Sequence, residues 1–199
     1  VWTVLDIDHP RHLVYCEMVK GSIPAYFGQC PGDLHTRILQ RMRRVLQEDK
    51  SYPYLMKNAV ARLQQGRFTA AHAGVCDRTL VNMGGSMWCL LPWVGTYGFL
   101  ALERFLKIKC GERLGLKNFD SARPYYMQFT MRVGREEFFR IVREEIEKPL
   151  DPLELVYPKE LPVFDKYDEY LPEALVKKGF AQGVLDVEEM KQIVRGWET

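Results

Sequence analysis

The most apolar stretch of the chain, Trp88 to Phe99, is broken by Pro92, Gly95 and Gly98. A helix crossing a bilayer needs about 20 consecutive apolar residues, so this stretch predicts a buried strand followed by a separate helix. Met87-Trp88-Cys89-Leu90-Leu91 is the strand. Thr79-Leu80-Val81-Asn82-Met83 precedes it across Gly84-Gly85-Ser86, a turn whose glycines tolerate positive φ, and the pair reads as a hairpin. Pro92-Trp93-Val94-Gly95-Thr96 then leads into a helix reaching about Lys109 and closed by Gly111. Its apolar residues include Phe99, Leu100, Leu102, Phe105 and Leu106.

The same reading extends in both directions. Residues 1–20 predict two strands joined by Asp8-His9-Pro10-Arg11. Val1 to Ile7 alternates like a strand already under way, which reads as the interior of a longer polypeptide. Asp33 is a candidate N-cap for a helix to about residue 48, with Leu34, Ile38, Met42 and Val45 on its apolar face and Leu39 and Leu46 at the edge. Arg37, Arg41 and Arg44 form a separate stripe beside that face. A second helix is predicted from Tyr54 to Gln65, with Leu55, Ala59 and Leu63 inward and Gly66 as its end. Tyr125 to Met131 is a further strand, and Gly134 opens an amphipathic helix. Residues 149–162 read as an extended connector, followed by short helices at Pro172–Phe180 and Val187–Gly196.

The fold class expected is α+β: a mainly antiparallel sheet, open or closing into a barrel-like form, with packed helices. The hairpins of residues 1–20 and 79–91 are expected in that one sheet. Residues 1–148 are expected to form a β-rich lobe, and 149–199 a connector with a helical extension.

The five cysteines lack CxxC spacing, which gives no basis for a structural zinc site. Their odd number and the lack of a signal peptide predict reduced thiols and a cytoplasmic location. A net charge of +2 is too small to argue nucleic-acid binding by itself; only clustered charge would do so. The four histidines have no ligand spacing, so no metal site is expected.

Three ordered stretches carry a resemblance. They are Trp2-Thr3-Val4 with Gly21 to Gly28; Leu90-Leu91-Pro92-Trp93-Val94-Gly95-Thr96; and Asp165-Lys166-Tyr167-Asp168-Glu169-Tyr170-Leu171-Pro172 continuing to Leu185-Asp186-Val187-Glu188. Together they resemble the C-terminal region, or helicase-associated domain, of large helicase-related proteins. These are superfamily 2 enzymes with two RecA-like motor domains, a winged helix and a large C-terminal domain. The aromatic loop departs from that pattern, with Tyr26 where the family often has Trp. The chain has neither GxxxxGK[ST] nor Asp-Glu-x-His, the motifs that hold nucleotide phosphate and magnesium. The resemblance therefore implies a noncatalytic accessory module. ATP and magnesium would belong to the motor domains of a parent helicase, and no cofactor to this chain.

On this reading the partners are single-stranded DNA or RNA and the winged-helix and RecA-like domains of the same polypeptide, with no membrane. Tyr26 and Phe27 are candidates for stacking on bases, and Arg37, Arg41 and Arg44 for phosphate contacts. Trp93 follows Pro92 at a strand end and is the more exposed of the two tryptophans there. Gly95-Thr96, at a helix start, offers either free amides for an anion or ordinary capping by Thr96. Two other readings are a base-processing, glycosylase-like module using Asp77 or Asp120 as general base, and a structural docking platform for the motor domains.

Overall fold

The computed structural model describes residues 2–18 and 33–197. The chain divides into two compact units, Val1–Gly32 and Asp33–Thr199. In the first, β1 (Trp2–Asp8) pairs antiparallel with β2 (Leu13–Met18), with a register irregularity between Val4 and Asp6.

The second unit holds all the remaining elements. α1 spans Thr36–Gln47 and α2 Lys57–Ala73. β3 (Leu80–Gly84) and β4 (Met87–Leu90) form the expected hairpin, with Gly84 at φ 120° and Gly85 at φ 57°. α3 (Thr96–Phe105) continues through a wide π turn, Leu106–Cys110, into α4 (Gly111–Leu114). β5 (Lys117–Ala122), β6 (Tyr126–Thr130), α5 (Arg135–Ile146), α6 (Glu173–Gly183) and α7 (Val187–Arg195) follow. Short 3-10 turns occupy Pro152–Leu155 and Asp168–Tyr170.

The architecture is α+β. The larger sheet is antiparallel throughout, in the order β3-β4-β6-β5, and is open, not a closed barrel. The expectation of a single sheet is corrected, because among the described residues β1 and β2 pair only with each other. The division expected near residue 148 also moves. The connector and C-terminal helices bury Leu155, Phe180, Met190 and Val194 in the same core as Phe99, Phe105, Phe129 and Phe138. Residues 149–197 thus share one core with the sheet. Each large apolar side chain buried there contributes about 1.5–3 kcal/mol.

Several boundaries shift for identifiable reasons. α1 begins at Thr36, not near Asp33, because the His35 imidazole accepts from the Arg37 amide at 3.1 Å and caps the helix. Gly66 lies inside α2, which ends instead at Gly74 in the left-handed conformation (φ 66°). Gly111 likewise sits in helical backbone, and the stop passes to Gly115 at φ 63°. Left-handed backbone is the conformation for which glycine is uniquely suited, which is why these two positions end helices.

No helix among the described residues is long and apolar enough to cross a membrane. Cys76, Cys89 and Cys110 are free and buried, whereas Cys16 is exposed. Burial pushes the Cys110 thiol up to about 12, with Glu145 adding to the effect. A thiol-specific alkylating agent at pH 8 is expected to modify Cys16 in the native protein and to reach Cys110 only after denaturation, because the thiolate is the reactive form. Peptide mapping of labelled chain checks this, and native labelling of Cys110 contradicts it.

Candidate nucleic-acid interface

α1 turns two unlike faces outward and inward. Successive helical residues advance by 100°, so Thr36, Leu39, Arg43 and Gln47 fall on one side. That side is the buried one. Leu39 is 1% exposed, the Thr36 hydroxyl is buried, and Arg43 Nε and Gln47 Nε2 both donate to the Cys76 carbonyl, at 2.7 and 3.3 Å. The face expected inward, Ile38 and Met42, is instead exposed at 49% and 41%. This corrects the orientation read from the sequence. The core side of α1 is held by one leucine and by polar groups that find distant backbone partners.

The arginine stripe lies beside that exposed apolar face. Arg37 and Arg41 line a shallow groove with Ile38, Met42, Val45 and Leu46. Arg41 is engaged there: it pairs with Glu48 at 2.5 Å and donates to the Tyr52 hydroxyl at 3.0 Å, which in turn donates to Glu48 at 2.8 Å. Hydrogen bonds from Arg41 first, then Tyr52, hold the Glu48 carboxyl below the usual range. Arg37 and Arg44 form no ion pair with a carboxylate among the described residues. Tyr26 and Phe27 lie outside the described residues.

Thr96 is committed elsewhere. Its amide donates to the Leu34 carbonyl at 3.0 Å, and its hydroxyl accepts from the Leu34 amide at 2.9 Å. The Gly95 amide donates to the Thr36 hydroxyl at 2.7 Å, and that hydroxyl donates to Glu189 at 2.5 Å. The start of α3 is therefore occupied by the strand-like lead into α1. Thr96 neither caps its own helix nor offers free amides to an anion. A Cβ at Gly95 would lie 2.6 Å from the Leu34 carbonyl oxygen and 2.8 Å from the Thr36 nitrogen, so the close approach requires glycine.

Trp93 occupies a different setting from the basic stripe. It has a positive φ of 52° and is half-buried, and its indole Nε1 is buried without a partner among the described residues. It lines a cavity of about 310 Å³ together with Arg43, Asp77, Arg135, Gln192 and Trp197. This neighbourhood of Trp93 is not visible in linear spacing, because the lining comes from α1, α5, α7 and the segments flanking the β3–β4 hairpin. Asp77 accepts weakly from Gln47, at 3.4 Å. Asp120 lies on β5, exposed, and accepts from the Ser121 amide at 2.8 Å. No group of three or more His, Cys, Asp or Glu side chains among the described residues is placed to hold a metal.

Comparison of the chain with protein-family models, with curated proteins and with solved structures returns no match.

Proposed function

We propose that this chain is a noncatalytic accessory module of an ATP-dependent helicase of the large helicase-related type, and that it contacts single-stranded nucleic acid. The helicase assignment rests on the three ordered motifs. The binding reading rests on one observation. α1 keeps Arg37, Arg41 and Arg44 on a side that the core does not use, next to exposed Ile38 and Met42. Guanidinium groups on a fixed helix neutralise backbone phosphates without reading bases, and apolar side chains beside them can meet base faces.

A fluorescence anisotropy titration of a poly-dT oligonucleotide against salt tests this. Affinity is expected to fall by about 0.7 log unit per log unit of salt for each phosphate contacted. Arg37→Gln with Arg44→Gln is expected to flatten that slope by about one to two contacts' worth. Arg41→Gln is expected to change it less, because Arg41 is already neutralised by Glu48. A slope unchanged by the double substitution sinks the reading.

The docking-platform reading has its own support. Val163, Tyr167, Tyr170 and Leu175 are exposed within one short stretch, with Val163 at 82%. Exposed apolar clusters of that kind mark contact surfaces. If the α1 arginines prove silent while Val163→Asp abolishes association with separately expressed motor domains, docking is the function.

A further inference from the structure

The cations of the second unit are unevenly paired. From α3 to α5, Arg104, Lys107, Arg113 and Arg140 each meet a carboxylate. α1 and α2 are different. α1 carries four arginines and α2 carries Lys57, Arg62 and Arg67, and neither helix contains an Asp or Glu. Of these seven cations, only Arg41 is paired with a carboxylate among the described residues. Arg43 is held by the Cys76 carbonyl, and Arg67 by those of Val45 and Lys50 at 2.9 and 3.0 Å, which fixes both side chains and leaves their charge uncancelled. Without the seven, the chain is net acidic. The net charge of +2 therefore conceals a cluster, and clustered charge of one sign is the footprint of a polyanion site.

α2 presents its part of that charge on a defined face. Successive residues advance by 100°, which places Leu63, Gly66, Arg67 and Ala70 on one side, half-buried or buried. Lys57, Ala61, Arg62, Gln65, Phe68 and His72 lie on the opposite side and are exposed. Phe68 is 74% exposed. Its ring forms an offset stack with His72, with centroids 6.1 Å apart and planes inclined by 10°, which orients the ring while most of it stays open. Phe68 is the single large apolar side chain among the exposed residues of α2. A partner helix lying in a groove uses several apolar anchors at i, i+3 or i+4, and i+7, and a membrane surface needs a whole apolar face. One oriented ring among cations and amides suits a single strand instead, giving a π-face to a base and positive charge to its backbone.

We propose that the outward face of α2 is a base-stacking site for single-stranded nucleic acid, with a base on the Phe68 ring and Lys57 and Arg62 meeting phosphates of the same strand. The proposal extends the strand-binding reading from α1 to α2 and rests on that reading for the class of ligand.

Fluorescence anisotropy titration of the whole chain provides the test. The probes are an oligo-dT and an abasic strand of equal length, which keeps every phosphate and has no bases. Phe68→Ala is expected to weaken oligo-dT binding by about fivefold to a hundredfold, the loss of one stacked base, at unchanged salt slope, and to leave the abasic strand unaffected. Phe68→Trp should retain oligo-dT affinity. Lys57→Gln with Arg62→Gln is expected to weaken both probes and to flatten the salt slope by about 0.7 log unit per log unit of salt for each contact removed. All three side chains are exposed, so thermal melts of the variants should match the parent. Equal loss on both probes, no loss with Phe68→Ala, or a salt slope indifferent to the Lys57 and Arg62 substitutions overturns the proposal. Polyglutamate that displaces oligo-dT and itself loses affinity on Phe68→Ala also overturns it, and makes the face a docking site for acidic protein. The α1 and α2 readings fail separately. If Phe68→Ala discriminates the two probes while Arg37→Gln with Arg44→Gln leaves the slope unchanged, α2 holds the strand without α1; the reverse result keeps the α1 reading and removes this one.

Discussion

Replacing Glu160 with Gln will destabilise the protein by about 1.5–3 kcal/mol, the range for a hydrogen bond to a charged group, because Arg104 is buried while a quarter of the Glu160 side chain stays exposed. Arg104 projects from α3 and is 8% exposed; it grips Glu160 through two hydrogen bonds, at 2.6 and 2.5 Å. It also donates to the Leu155 carbonyl at 3.1 Å and lies 4.8 Å and 5.0 Å from the Tyr157 and Phe180 ring centroids. The Gln amide oxygen can still accept one of these bonds, but it carries no charge to balance the buried guanidinium. Urea unfolding should show a lower midpoint at unchanged slope. A midpoint equal to that of the parent would refute the prediction. A joint Arg104→Met, Glu160→Leu variant is expected to recover most of the loss, since a well-packed apolar pair can replace a buried ion pair at little or no penalty. The pH dependence has a fixed sign. Arg104 holds the Glu160 carboxyl below its usual range. The pair therefore stabilises fully above the ordinary glutamate value near about 4.3, and that contribution is lost as pH falls through the folded-state value. The Glu160→Gln variant should lack this part of the acid sensitivity.

Gly95→Ala is the second substitution with a large expected effect. The new methyl meets backbone atoms of Leu34 and Thr36 at 2.6 and 2.8 Å, and backbone cannot swing aside as a side chain can. Overpacking of this kind costs about 1–3 kcal/mol. Separating the two segments also weakens the bonds among Leu34, Thr36, Gly95 and Thr96, each worth about 0.5–1.5 kcal/mol. Gly66→Ala is the control. Nothing lies within 4 Å of a Cβ there, and the position is mid-helix in α2. It should stabilise by about 0.5–1 kcal/mol. Hydrogen exchange should show faster exchange at the start of α1 in Gly95→Ala and slower exchange in α2 of Gly66→Ala. A Gly95→Ala protein as stable as the parent would show that the junction yields.

The elements legible in the sequence were those specified by local chemistry. The Gly84-Gly85 turn, the Gly134 start of α5 and the start of α7 at Val187, where the structure adds an Asp186 carboxylate accepting from the Glu189 amide at 2.8 Å, need only their neighbours. β5 was missed because Lys117-Asn118-Phe119-Asp120-Ser121-Ala122 shows little β patterning; its place is set by backbone pairing with β6. The inward face of α1 was misread for a related reason. Ile38 and Met42 outweigh Leu39 in apolar content, yet the helix is oriented by the Cys76 carbonyl and by Gly95, many residues away. In the candidate site, the exposed arginines were readable from helical spacing. The Trp93 cavity was not, because its lining converges from five separated segments.

The Thr36 hydroxyl is bonded on both sides, accepting from Gly95 and donating to Glu189, 153 positions later in the chain. During synthesis the amino-terminal end of α1 cannot reach this final arrangement until nearly all of the second unit has left the ribosome. A link of such long sequence separation is a late, slow contact, because the intervening chain must be ordered before closure is rewarded. Until then, the face of α1 that ends up enclosed is open to chaperones and to stray pairing. The time the polypeptide spends in that half-built state is set by how quickly translation delivers α7.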